Sequence, residues 1–130
     1  MRDGKVQITI IEDNKSLVDI ITKFLELKNF IVNPVYYGRG ALSAIMADRP
    51  DLIILDLILP DIDGSDLLAE LKESEDTRNI PVIILTARDS DSYREYGMKL
   101  GADEYIAKPY SSGVLLEKIN RVLDKKKNNK

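Results

Sequence analysis

Two apolar rhythms alternate along the chain. Val6-Gln7-Ile8-Thr9-Ile10-Ile11 is dominated by β-branched residues and predicts a strand. Leu17, Val18, Ile20, Ile21, Phe24, Leu25 and Leu27 then recur at helical spacing, with Asp19, Lys23, Glu26 and Lys28 between them. Asn14 or Asp13 is the predicted N-cap. A second strand is predicted over Ile31 to Val35 and a second helix over Gly38 to Ala47. Leu52 to Asp56 is a continuous apolar run between Pro50 and Pro60, the pattern of a strand buried on both faces. Ser65 to Glu73 reads as a helix, and Pro81 stands at the start of a fourth strand, Val82 to Thr86. A more polar helix follows over Asp89 to Leu100, with Gly101 ending it. Glu104 to Ala107 is the fifth strand, and the last helix spans Ser112 to Lys125.

Strand and helix therefore alternate five times. That order predicts an α/β fold, a five-stranded parallel sheet with helices on both faces. At 130 residues the chain suits one domain, residues 1–125. Residues 126–130 form a Lys/Asn-rich tail, read as lysines at a helix C-terminus that then frays, or else as the start of a linker.

Composition narrows the chemistry. Hydrophobic residues make up 44% and charged residues 32%, and the net charge of −3 argues against polyanion binding by bulk electrostatics, so no direct nucleic-acid contact is expected. No apolar run approaches the roughly 18–20 residues that span a membrane, and the first residues lack a signal-peptide profile. A cytoplasmic location is the expectation. The chain has no His and no Cys. Thiol nucleophiles, Cys/His zinc sites and Ser-His-Asp triads are thereby excluded.

The remaining candidates share a place. Glu12 and Asp13 follow the first strand, Asp56 ends the third, Thr86 ends the fourth and Lys108 follows the fifth. In a parallel sheet all of these fall at the carboxyl edge, where open α/β sheets bind ligands. Taken singly, each has an ordinary role in capping, turn formation or solvation. Together they make a site. Three neighbouring carboxylates repel unless they share protons or bind a cation, and an all-oxygen site suits Mg²⁺ or Mn²⁺. A carboxylate is also able to attack a phosphoryl group, with Lys108 and the metal neutralising charge. The acidic turn after the first strand is the opposite of a glycine-rich pyrophosphate cradle, and no GxxxxGK[ST] motif occurs.

The ordered set Glu12-Asp13, Asp56 with Leu59-Pro60 and Asp63-Gly64, Thr86-Ala87, Gly101-Ala102-Asp103-Glu104-Tyr105, and Lys108-Pro109 resembles the receiver domain of two-component response regulators, from about Lys5 to Leu123. The resemblance implies a doubly wound sheet of strand order 2-1-3-4-5. It implies that Asp56 accepts a phosphoryl group from a phosphohistidine on a sensor histidine kinase or phosphotransfer protein. Glu12, Asp13, Asp56 and the Ile58 carbonyl would hold Mg²⁺. Thr86, Ala87 and Lys108 would contact the phosphoryl group, and Pro109 would follow a cis peptide. Thr86 and Tyr105 correspond to the switch pair, Tyr105 turning inward as Thr86 moves. The face of the fourth helix, fifth strand and fifth helix would then alter its affinity for an output domain, a partner protein or a second copy of the chain.

Some positions depart from the family pattern. Leu59 stands for the commoner Met and Glu12 for the frequent Asp. Val114 stands where the DNA-binding winged-helix subclass carries an acidic partner for a basic residue, here Arg94, while Glu104 and Lys118 keep another pair typical of that subclass's dimer. Ile58 and Arg88 flank the expected path of attacking water. Ile58 offers it no hydrogen bond and Arg88 shields the phosphoryl group, so slow self-hydrolysis is expected. The alternatives are a receiver-like interaction module that works without phosphorylation, and a metal-dependent phosphohydrolase. The first normally lacks one of the acidic, Asp or Lys positions, all present here. The second needs an Asp where Ile58 stands.

Overall fold

The computed structural model describes residues 1–128. Five strands, β1 (Gln7–Ile11), β2 (Ile31–Val35), β3 (Leu52–Leu55), β4 (Val82–Thr86) and β5 (Glu104–Ala107), alternate with five helices. These are α1 (Lys15–Leu27), α2 (Ala41–Asp48), α3 (Gly64–Glu73), α4 (Asp91–Lys99) and α5 (Ser112–Asn128). The strands are parallel in the order β2-β1-β3-β4-β5, the predicted fold class.

Every residue of β1, β3 and β4 is buried. Alternate side chains of these strands enter different cores. Ile8, Ile10, Ile54, Ile83 and Leu85 meet Val18, Ile21 and Leu25 of α1 and Leu115, Ile119 and Val122 of α5. Ile11, Ile53, Leu55, Val82 and Ile84 meet Ala41 and Ile45 of α2 and Leu67, Leu68 and Leu71 of α3. α4 comes close through Gly97, where a Cβ would lie 2.7 Å from Ile84 Cδ1 and 3.3 Å from the Tyr105 ring. β2 lies at the sheet edge, so Pro34 is tolerated there without an N–H to donate.

Element ends follow local bonding. Asn14 caps α1 by accepting the Leu17 N–H, and Ser90 caps α4 by accepting from Tyr93, so α4 begins at Asp91 rather than Asp89. α2 begins at Ala41 rather than Gly38. The Asp61 carboxylate takes the Gly38 and Arg39 N–H groups at 2.9 and 2.7 Å, and Gly40 is left-handed. α3 begins at Gly64 rather than Ser65, because Asp63 caps it by accepting the Ser65 N–H. β3 ends at Leu55, one residue before Asp56, although the Asp56 N–H still bonds to Ile11 C=O at 3.0 Å.

The predicted tail at residues 126–130 begins inside α5. The helix continues to Asn128, with Lys125, Lys126 and Lys127 in a last turn whose dipole favours cations. Residues 129–130 of that tail lie outside the described residues.

Candidate functional site at the carboxyl edge of the sheet

The strand order sets β1 beside β3, then β4 and β5, so the residues after these four strands converge. Glu12 is 4% exposed and Asp56 5% exposed, whereas Asp13 lies open to solvent. One carboxylate oxygen from each of the three lies within 4.8 Å of the others. Lys108 crosses to this group from the end of β5. Its Nζ donates to Glu12 Oε1 at 2.5 Å and to Asp56 Oδ2 at 3.0 Å. Asp56 Oδ1 accepts the Ile58 N–H at 2.9 Å, and Glu12 Oε2 accepts the Asn14 N–H at 3.1 Å. Each buried carboxylate thus has charged and neutral donors, the condition for keeping charge out of water.

Burial pushes the Glu12 carboxyl up to about 7, against the opposing pull of Lys108 and the Asn14 N–H. Burial acts to lower Lys108, but hydrogen bonds to Glu12 and Asp56 outweigh it and leave the ammonium above its usual range. The Glu12 shift reflects its burial, and the Lys108 shift its two carboxylate partners. The oxygen-only donor set of Glu12, Asp13 and Asp56 fits a hard divalent cation.

The loop after β3 walls the site. Asp63 Oδ1 accepts from Ser65 N and Oγ and caps α3. A Cβ on Gly64 would lie 2.4 Å from Asp56 C=O and 2.5 Å from Leu57 Cα, so only glycine permits this approach. Ile58 is exposed on the same loop. A groove of about 330 Å³ runs along Leu57 to Asp63 to the Arg88 side chain.

Thr86 is fully buried, and its Oγ1 faces the Arg88 N–H at 3.5 Å. Ala87 follows it in the exposed loop. Tyr105 is buried, with its ring inward, and it pairs in register with Ile84. Its hydroxyl donates to Arg88 C=O at 2.6 Å. The Arg88 guanidinium sits 3.5 Å from Asp63 and 5.1 Å from the Tyr93 ring centre. Arg94 lies over Tyr105 at 5.0 Å and donates to its C=O at 3.1 Å. The Lys108–Pro109 peptide is cis. Glu104 pairs with Lys118 at 3.0 Å, while Val114 is exposed.

Sequence reasoning took Asp63 as part of a motif and missed Asp61 and Tyr93. Asp61 ties the loop before α2 to the loop after β3, and Tyr93 and Asp63 hold Arg88 from two sides. Each contact joins segments far apart in sequence and carries no local signal.

The family model described as the response regulator receiver domain matches residues 8–120. The regulatory protein VanRc of Enterococcus gallinarum is 39% identical over 116 residues, covering 89% of this chain and 48% of that protein. The chain thus spans about half the length of the curated relatives it matches. A CheY-like response regulator receiver domain protein from Methanospirillum hungatei superposes with a TM-score of 0.91 at 27% identity, over 98% of this chain and all of that one. The BeF3-activated N-terminal receiver domain of RstA from Klebsiella pneumoniae gives 0.84 at 30% identity, over 90% and 97%. With a sheet of the same order and a carboxylate cluster at its carboxyl edge, the chain belongs to the response regulator receiver domain family.

Proposed function

We propose that Asp56 is the phosphoacceptor of a two-component relay. The observation that carries this reading is Asp56 itself, buried at the sheet edge with Lys108 on one carboxylate oxygen and two further carboxylates beside it. A carboxylate oxygen of Asp56 attacks the phosphorus of a phosphohistidine on a sensor histidine kinase or phosphotransfer protein. The P–N bond breaks, and the imidazole nitrogen leaves with the electron pair and takes up a proton. The protein's share in such a transfer is positioning and charge neutralisation. Lys108 meets the developing negative charge. The Thr86 hydroxyl and Ala87 N–H donate to phosphoryl oxygens. Glu12, Asp13, Asp56 and the Ile58 carbonyl would hold Mg²⁺, with Mn²⁺ as a substitute, and that ion supplies charge neutralisation for the phosphoryl oxygens. The domain promotes its own phosphorylation and slow dephosphorylation and turns over no separate substrate.

The readout runs through Thr86 and Arg88. Movement of Thr86 toward the phosphoryl group disturbs the Arg88 loop that holds the Tyr105 hydroxyl, and so the α4-β5-α5 face. Tyr93, Tyr96 and Met98 of α4 and Val114 of α5 are exposed apolar residues, which suits a surface that docks an output domain, a partner protein or, once phosphorylated, a second copy. Ile58 and the Arg88–Asp63 pair favour a long-lived phosphoryl group. A cytoplasmic location goes with a kinase partner; among the described residues no helix is long and apolar enough to cross a membrane.

The test is incubation with phosphoramidate and Mg²⁺, followed by intact-mass measurement. One phosphoryl group is gained. The gain is lost in Asp56→Asn and when EDTA replaces Mg²⁺. A gain that persists in Asp56→Asn refutes the assignment.

A further inference from the structure

A basic cleft opens at the edge of the sheet opposite Asp56. β4 and β5 begin there, and the last turns of α5 pass beside them. A five-residue strand at about 3.3 Å per residue sets the two edges roughly 16 Å apart. The cleft holds about 490 Å³, within the range of small-molecule sites. Lys72, Arg78, Arg121, Lys125 and Lys126 line it against Asp103 and Glu104. Five cations against two carboxylates leave a local excess of three positive charges, in a chain whose net charge is −3.

Both carboxylates are already engaged. Asp103 Oδ2 accepts the Val82 N–H at 2.9 Å, and Glu104 pairs with Lys118 at 3.0 Å and Arg121 at 3.7 Å. Among the described residues, Lys72, Arg78, Lys125 and Lys126 have no carboxylate within ion-pair distance. Lys72 is half-buried and donates to the carbonyls of Ile80 at 2.9 Å and Arg78 at 3.2 Å. Burial holds its ammonium below the usual lysine range, Asp103 opposes this from a distance, and Lys126 adds to it. One half-buried cation with exposed cations beside it is stabilised when an anion joins them.

We propose that this cleft binds a small phosphate-bearing anion of nucleotide size. Its phosphates lie among Arg78, Lys125 and Lys126. The site is separate from the phosphoacceptor and independent of the function proposed for it. Much of the attraction is between exposed charges, so affinity falls as salt rises.

The test is a ¹⁵N-resolved titration of the full chain in EDTA at about 0.15 M salt, with ATP, pyrophosphate and AMP as separate probes. ATP and pyrophosphate give saturable shifts at Lys72, Arg78, Asn79, Val82 and Lys125, and both bind more tightly than AMP. The double substitution Arg78→Ala with Lys125→Ala removes two exposed side chains and weakens ATP roughly tenfold, about 1.4 kcal/mol. Shifts centred on Asp56, Thr86 and Lys108, shifts that never saturate, or unchanged affinity in the double variant overturn the proposal. Tighter binding of a poly-glutamate peptide than of ATP overturns it in favour of an acidic protein segment.

Discussion

Asp13 is the exposed member of the carboxylate group and has no cation within ion-pair distance among the described residues, unlike Glu12 and Asp56, which share Lys108. Beside Glu12 and Asp56 its charge is repelled until a cation binds. Asp13→Asn is expected to raise stability in metal-free buffer by up to about 1 kcal/mol, the scale of exposed charge interactions. It is also expected to abolish the rise in Tm that Mg²⁺ gives the parent through binding to the folded state. Thermal melts with and without Mg²⁺ check both; a variant that keeps the full Mg²⁺ effect contradicts the ligand role. Gly64 makes the opposite kind of demand. Its absent Cβ would strike backbone atoms of Asp56 and Leu57, so Gly64→Ala is expected to cost about 1–3 kcal/mol in urea unfolding and to disturb phosphorylation. A denaturation midpoint equal to the parent's would refute this. Asp56 and Lys108 were legible in sequence because, with Glu12, Asp13 and Thr86, they follow the ends of strands that a parallel sheet brings to one edge. The Arg88–Asp63 and Asp61 contacts were not, because they depend on how two loops lie together in space.

The elements show the same division. Strand runs such as Ile53-Ile54-Leu55 predict themselves, because burial on both faces demands apolar residues without a break. All ten elements were legible, and the starts of α2, α3 and α4 shifted where a side chain took over backbone bonding. α2 starts late because a carboxylate from another loop takes two of the N–H groups ahead of it. α1 illustrates the two faces of one helix. Ile21 is buried in the core, while Ile20 is 63% exposed. Ile54→Ala and Ile21→Ala are each expected to cost about 2–5 kcal/mol, the range for buried Ile truncation. Ile20→Ala is expected to stay within about 0.5 kcal/mol. Equal losses at Ile20 and Ile21 in chemical denaturation would contradict the packing described for α1.

Across the whole molecule the two sheet edges differ in charge. The carboxyl edge gathers Glu12, Asp13, Asp56, Thr86 and Lys108, and the opposite edge gathers the lysines and arginines of α3, its following loop and α5. Between the first group and the α4-β5-α5 face runs a short chain of contacts, from Thr86 through the Arg88 backbone to the Tyr105 hydroxyl, with Arg94 clasping Tyr105 from outside. Tyr105→Phe removes the bond to Arg88 while keeping the ring, and is expected to leave phosphorylation intact while reducing its effect on α4. A phosphoryl group on Asp56 is expected to drive that face, and beryllofluoride with Mg²⁺ checks this by standing in for the phosphoryl group. In ¹H–¹⁵N spectra large shifts are expected at Asp56, Thr86, Ala87 and Lys108 that extend through Arg88 and Tyr105 into α4 and vanish in Asp56→Asn. An unchanged spectrum with Asp56 intact would contradict it and mark the domain as an interaction module that works without phosphorylation.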